Sequence, residues 1–339
     1  MGSIRLVGDI GGTKTTLAIV DSEVGSKQFL DKATFVSRNY PSLEAIVKLF
    51  LKGKKWAPTL ASFGVAGPVF NGQVQATNLP WFIEESSLNN AFGIPIRLIN
   101  DLFATAHAVP FLSENDLVVL NPGKTVDHGS LAVIAPGTGL GEAYLHWVDN
   151  RYRTFPSEGG HTDFAPTDQL QIKLLQYLQA RIGHVSYEGV CSGKGLPNIY
   201  SFLKEEGVYK EPDWLNDLIS QASDPTPAIT KAALEETAEI AVATLNIFIS
   251  ILGSESGNLA LKTLATGGVY IGGGIPPRIN PLLRKESFLR AFQNKGRFSD
   301  FLKTVPIYVI NNPEAALIGA ACHGMEMEQN CDYRTDPCK

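Results

Sequence analysis

Asp9-Ile10-Gly11-Gly12-Thr13-Lys14 and Ala135-Pro136-Gly137-Thr138-Gly139-Leu140-Gly141 are the two stretches that decide the fold of this chain. Each is a glycine-and-threonine turn set between apolar strands. Residues 5–8 read as the entering strand of the first and 17–20 as its return; 130–135 and 142–148 play the same parts in the second. Glycines permit φ > 0 and leave no Cβ between the backbone amides and an approaching anion, so successive N–H groups can converge on phosphate oxygens. Thr13, Lys14 and Thr15 add hydroxyl donors and a positive charge. A single glycine hairpin is a common way to join strands. Two of them in the same order predict a duplicated, two-lobed phosphate clamp.

The 339 residues exceed the usual size of one core and predict two domains. With 44% hydrophobic and 19% charged residues the composition is that of a globular protein with ample core. A net charge of −5 argues against general binding of nucleic acid or an anionic membrane. Phosphate must then be handled locally, by backbone amides, helix N-termini and a bound divalent cation. Cys191, Cys322, Cys331 and Cys338 show neither a Cys-x-x-Cys pair nor zinc-finger spacing, which predicts free thiols in a reducing compartment. The first residues lack the basic, apolar and small-residue pattern of a secretion signal, so the expected location is cytoplasmic. The apolar run 240–252 is interrupted by Thr244, Asn246 and Ser250 and reads as a buried helix rather than a membrane span.

Through the first third, strands alternate with helices: strands at 29–35, 60–66 and 96–99, a helix at 43–51 with Ser42 as N-cap, and another at 102–109. That alternation is the mark of an open α/β sheet, which binds ligands beyond the carboxyl ends of its strands. Beyond a break near 110–115 the chain reads as more helical, with helices at 168–181 and, as one long central helix, 226–252. Strands follow at 269–271 and 305–310, then a small-residue helix at 314–325 placed to return to the first lobe. The expected division is 1–112 plus about 311–325 as a small lobe, 113–310 as a large lobe, and 326–339 as a polar, frayed tail.

Asn100-Asp101 stands where a strand meets a helix. Asp101 either caps that helix or points a carboxylate beyond the sheet, where it could accept a proton from an alcohol attacking a phosphoryl group. The segment Glu158-Gly159-Gly160-His161-Thr162-Asp163 sets carboxylates and an imidazole around a glycine pair. Its spacing suits polyol recognition better than a metal site, the plain alternative being a polar loop in which Asp163 satisfies His161. Glu188 is either a third ligand carboxylate or an exposed helix-end charge. Thr77-Asn78 offers neutral polar contacts or turn chemistry, and Gly272-Gly273-Gly274 either admits a flat base against the backbone or forms a loop.

Taken in order from residue 4 to about 324, these motifs, with Gly64-Val65-Ala66-Gly67-Pro68 and Ile182-Gly183-His184-Val185-Ser186, resemble the bacterial-type glucokinase family. The resemblance implies an α/β, actin-like (ribonuclease H-like), two-lobed hexokinase-type fold with an interlobe cleft. It implies an ATP:hexose 6-phosphotransferase acting on glucose, with Mg2+ and with ATP as co-substrate. By the same resemblance Asp101 is the catalytic base, and Thr77, Asn78, Asn100, Glu158, His161 and Glu188 are sugar contacts. Asp9, Gly11, Gly12, Thr13, Lys14, Gly137, Thr138 and Gly139 belong to the phosphate loops, with Asp9 near magnesium, while Gly272, Gly273 and Gly274 lie by the adenosine. No cysteine-rich zinc motif is present, so structural zinc is not expected, and a homodimer is the default assembly. The rivals are a kinase for another hexose or with another donor, a non-enzymatic sugar sensor, and an actin-like ATPase working through partners.

Overall fold

The computed structural model describes residues 2–332, with side chains to Glu326. The chain divides into two compact units, one made of the residues up to Ser113 together with those from Asn312 onward, the other of Glu114–Asn311. In chain order the first unit opens with β1 (Ile4–Ile10), β2 (Lys14–Asp21), β3 (Phe29–Val36), α1 (Leu43–Leu51) and β4 (Leu60–Val65). It continues with β5 (Gln73–Gln75), β6 (Phe82–Glu84), α2 (Glu85–Phe92), β7 (Ile96–Asn100) and α3 (Asp101–Ala108). The second unit holds β8 (Leu117–Asn121), β9 (Leu131–Pro136), β10 (Leu140–Val148), β11 (Arg151–Ser157), α4 (Gln169–Ile182), α5 (Gly195–Glu206), α6 (Asp213–Gln221), α7 (Thr226–Leu234) and α8 (Glu239–Thr263). It ends with β12 (Gly268–Ile271), α9 (Asn280–Leu283), α10 (Glu286–Gln293), α11 (Ser299–Thr304) and β13 (Ile307–Ile310), after which α12 (Ala315–Asp332) completes the first unit.

The duplication read from the glycine turns extends to whole sheets. The first sheet runs β3-β2-β1-β4-β7, with β3, β2 and β1 antiparallel and β1, β4 and β7 parallel. The second runs β11-β10-β9-β12-β13-β8 with the same sequence of pairings, β8 being an added antiparallel edge. In both, the glycine turn joins the first strand to the second at the carboxyl end of the first. Because β1, β4 and β7 are parallel, Asp9, Gly67 and Asp101 all emerge at one edge of the first sheet.

Alternation along the strands sets the packing on each face. Leu6, Leu17, Ile19 and Phe63 meet Leu43, Ile46 and Phe50 of α1 on one side, while Val7, Ala18 and Val20 meet Leu317, Ala320 and Ala321 of α12 on the other. Ser42 caps α1 by accepting from the Ala45 N–H (3.2 Å), and Asp168 caps α4 by accepting from the Gln171 N–H (2.8 Å). At α3 and α12 the packing is so close that a Cβ on Gly319 would lie 1.7 Å from the carbonyl oxygen of Ala104.

The expected single helix over 226–252 is two helices. Glu236 takes φ +53, and the N–H groups of Glu236 and Thr237 close back onto the carbonyls of Ala233 and Ala232, a left-handed stop that ends α7. A new helix, α8, then runs on to Thr263. It is apolar and long enough to cross a membrane by composition, but 78% of its apolar window is buried in this unit's core. The final helix also runs beyond the expected residue 325, to Asp332, so residues 326–332 are helical where a frayed tail was expected. Cys191 and Cys322 are buried free thiols. A pairing of Cys331 with Cys338 lies outside the described residues.

Candidate active site

In the first unit the turn after β1 is pinned from three sides. The Gly11 N–H donates to the Lys14 carbonyl (2.9 Å), the Ser37 N–H to the Thr13 carbonyl (3.0 Å), and the Ser37 hydroxyl to the Gly11 carbonyl (2.7 Å). Thr13 and Lys14 are left exposed at its tip. The glycines here are required by space rather than by φ > 0, since neither Gly11 nor Gly12 has a positive φ. A Cβ on Gly12 would lie 2.9 Å from the Thr77 carbonyl and 3.1 Å from Asn78 Cβ. Thr77 and Asn78, the latter held at φ +62, therefore stand directly against the first turn.

Asn100 and Asp101 divide two duties. Asn100 is the N-cap of α3: its Oδ1 accepts from the N–H groups of Leu102 (2.9 Å) and Phe103 (3.1 Å), and its Nδ2 donates to the Gly67 carbonyl (3.0 Å). Asp101, one residue on, uses a single oxygen to accept from the Leu102 N–H (2.9 Å). Capping is thus done by its neighbour, whose side chain also hydrogen-bonds the Asp101 carboxylate. Desolvation raises its carboxyl above the ordinary aspartate range. Asp9 is pushed up further, to about 7, by desolvation and then by the negative charge of Asp101. Among the described residues neither carboxylate has an ion-pair partner. Two desolvated carboxylates that repel one another, with oxygen as their only ligand atom, suit Mg2+, which is held by one or two carboxylates and shares its remaining positions with water and phosphate.

In the second unit the turn after β9 closes with the Gly137 N–H donating to the Gly139 carbonyl (2.8 Å), and Gly193 donates to the Gly137 carbonyl (2.7 Å). Thr138 is exposed at the tip. As in the first turn, Gly137 and Gly139 have no positive φ. Glu188 packs against Gly139, its Oε2 lying 2.4 Å from where a Cβ would be. Gly272 donates to the Ile134 carbonyl (2.8 Å) and Gly273, at φ +83, packs where a Cβ would meet the Pro136 carbonyl at 2.4 Å, so the triple glycine lies against this second turn. Gly273 is the only one of these site glycines for which a left-handed backbone is the reason.

The sugar-type ligands gather beside it. Glu158 and His161 flank a single 3-10 turn at Gly159–His161; their side chains are 80% and 59% exposed and stand 4.0 Å apart, unused by the fold. Asp163 is bound not by His161, the plain alternative in the sequence, but by His184, at 2.9 Å. Glu188 is neither at a helix end nor idle. Its N–H donates to the Gly160 carbonyl (2.8 Å) and its Oε2 accepts from the Leu140 N–H (3.1 Å), so it ties the Glu158–His161 segment to the glycine turn.

Sequence reading missed Ser192. Its hydroxyl donates to the Glu188 carbonyl (2.7 Å) and accepts from the N–H groups of Lys194 and Gly195 (3.1 Å each), fixing both Glu188 and the start of α5. The available signal was the Ser192-Gly193-Lys194-Gly195 run, where Gly195 presses on the backbone of Val190.

Two α/β units with the same strand order, each bearing a glycine turn, with a desolvated aspartate in one and a carboxylate-imidazole set in the other, define a sugar kinase with the actin-like fold. The glucokinase family model matches residues 6–327, and the chain belongs to the glucokinase family, a family of hexose kinases. It is 40% identical over 334 residues to the glucokinase of Nostoc punctiforme, covering 94% of this chain and 98% of that one. The crystal structure of a glucokinase from an Antarctic psychrotroph superposes with a TM-score of 0.82 at 34% identity, covering 96% of this chain and all of the other. A ROK-family glucokinase from Streptomyces griseus, solved with glucose and AMPPNP, shares the fold at a TM-score of 0.63 and 20% identity, covering 96% of this chain and 100% of that one.

Proposed function

We propose that this chain transfers the γ-phosphoryl group of Mg-ATP to the 6-hydroxyl of glucose, with Asp101 as the general base. The observation that carries this reading is the Asp101 carboxyl, relieved of helix capping by Asn100 and set at the carboxyl edge of the first sheet, beside the glycine turn and Thr77-Asn78. Asp101 accepts the 6-hydroxyl proton as that oxygen forms its bond to the γ-phosphorus and the bond from that phosphorus to the bridging oxygen breaks, releasing ADP. Amides of the Gly11–Lys14 and Gly137–Gly139 turns, with Thr13, Lys14 and Thr138, spread the negative charge of the transferring group, and Gly272–Gly274 receive the adenosine. Asp9, with Asp101 beside it, would hold Mg2+, which supplies neutralising charge on the β- and γ-phosphates.

The sugar is fixed by groups the fold leaves unspent. Glu158 and His161 accept from and donate to its hydroxyls; Glu188 contributes its remaining oxygen, and Asn100, Thr77 and Asn78 neutral polar contacts. The glucose and AMPPNP bound by the Streptomyces griseus protein are consistent with these two substrates. A cytoplasmic location follows from the demand for ATP, and a homodimer is the expected assembly.

A coupled assay across glucose, mannose, fructose and glucosamine, each with ATP and with polyphosphate, tests the substrates; glucose with ATP should give the highest kcat/KM. A tenfold preference for another pair overturns the assignment. Glu158→Gln keeps the shape but loses the charge, so glucose affinity should fall by about 10–100-fold with kcat changed far less. An unchanged affinity by calorimetry removes Glu158 from the sugar site.

A further inference from the structure

Behind the Glu158–His161 turn lies a carboxyl group that phosphoryl transfer does not use. Glu142, on β10, is 1% exposed, and its Oε1 has no hydrogen-bond partner among the described residues. Its Oε2 lies 2.0 Å from where Gly159 would carry a Cβ, so the carboxyl group packs directly beneath the turn. In the β10–β11 register Glu142 pairs with Ser157, the residue before Glu158.

The groups around it are already committed. Glu255 of α8 is fully buried; its Oε2 accepts from Asn258 Nδ2 (2.8 Å) and its Oε1 from Lys262 Nζ (3.3 Å). Asn258 also donates to the Tyr187 hydroxyl (3.0 Å), Lys295 donates to Ser254 Oγ (3.0 Å), and the Cys191 thiol is buried alongside. Lys262, the ammonium that faces the two carboxyls, is bonded to Glu255. An ionised Glu142 would be a second buried negative charge without a partner, which proteins avoid by keeping the proton. Desolvation and then the charge of Glu255, opposed by Lys262, push the Glu142 carboxyl up from its ordinary 4.5 to about 7.

We propose that Glu142 is a positioning residue: as a neutral carboxylic acid it supports the turn that carries Glu158 and His161, and loss of its proton to solvent loosens that turn and weakens sugar binding. This rests on the reading of Glu158 and His161 as sugar contacts. The sign is fixed by linkage. A carboxyl whose folded pKa is raised imposes no penalty below its unfolded pKa and the full penalty above the folded one, so stability falls as pH rises from the ordinary 4.5 to about 7, and turn geometry is lost as the folded group ionises through about 7.

Calorimetric titration of the full chain with glucose from pH 6 to 8.5 should show the dissociation constant rising by about tenfold, the change expected for one unit of pKa difference between free and bound states. Glu142→Gln, a neutral isostere, should hold it nearly constant over that range and should raise Tm more at pH 8.5 than at pH 6. Glu255→Gln, which removes the facing charge and frees Lys262, should move the onset to lower pH, and it carries the test if Glu142→Gln does not fold. A wild-type profile without the rise, a rise that persists unchanged in Glu142→Gln, or an onset unmoved in Glu255→Gln overturns the proposal. Failure to bind glucose at any pH would instead strike at the sugar-site reading.

Discussion

Asp101→Asn should lower the turnover of glucose by about a thousandfold, the middle of the range for a well-placed general base, while glucose affinity should stay within about threefold. In barrier terms that is about 4 kcal/mol. The reason for expecting so clean a separation lies in how the α3 terminus is built. Asn100 carries the cap by accepting from Leu102 and Phe103, and an amide at position 101 can still accept from the Leu102 N–H as the aspartate does. Helix and turn should therefore survive the substitution, and what is lost is the group proposed to take the proton. Measured kcat within tenfold of wild type, with glucose bound normally by calorimetry, would rule out Asp101 as the base.

The second large effect falls on stability. Gly319→Ala places a methyl group 1.7 Å from the Ala104 carbonyl oxygen, backbone against backbone, with no flexible side chain to yield. The two helices must separate, and overpacking of this kind costs about 3 kcal/mol. For a unit of this size calorimetry should record a fall in Tm of about 10 °C. Because α3 begins with Asp101, activity should fall with it, well below the melting temperature. A Tm within 2 °C of wild type would mean that α3 and α12 pack loosely enough to absorb a methyl group.

The parts of this fold legible in the sequence are the local ones. Ser42 announces its helix because a cap is a contact across three residues, whereas the cap made by Asp168 was seen only in the structure. The glycine-threonine turns announce two equivalent sheets because the device is contained in a few residues and repeated. The break at Glu235–Ala238 was hidden: its left-handed residue is a glutamate, with no glycine to mark it. The φ > 0 half of the reason given for the glycines of the two turns does not hold at Gly11, Gly12, Gly137 or Gly139, and the close approach of Thr77 to Gly12 comes from far away in the chain. The same distance concealed the dual role of Glu188 and the facing of Glu142 by Glu255, residues on different elements whose relation exists only once the second sheet has met α8. At the site, residue types that suit a sugar were readable, but which of them the fold has already spent, as with Asn100, was not.

The first unit is assembled from two stretches of chain with the whole of the second unit, Glu114–Asn311, inserted in between. On a ribosome this imposes a delay. At about 5–20 residues per second, the insert takes about 10–40 s to synthesise. Throughout that interval Val7, Ala18 and Val20 have no α12 to cover them, and the second unit has its last strand, β13, before any of α12 is made. The nascent N-terminal sheet is thus the segment a chaperone would hold, and the order of maturation runs opposite to the order of translation.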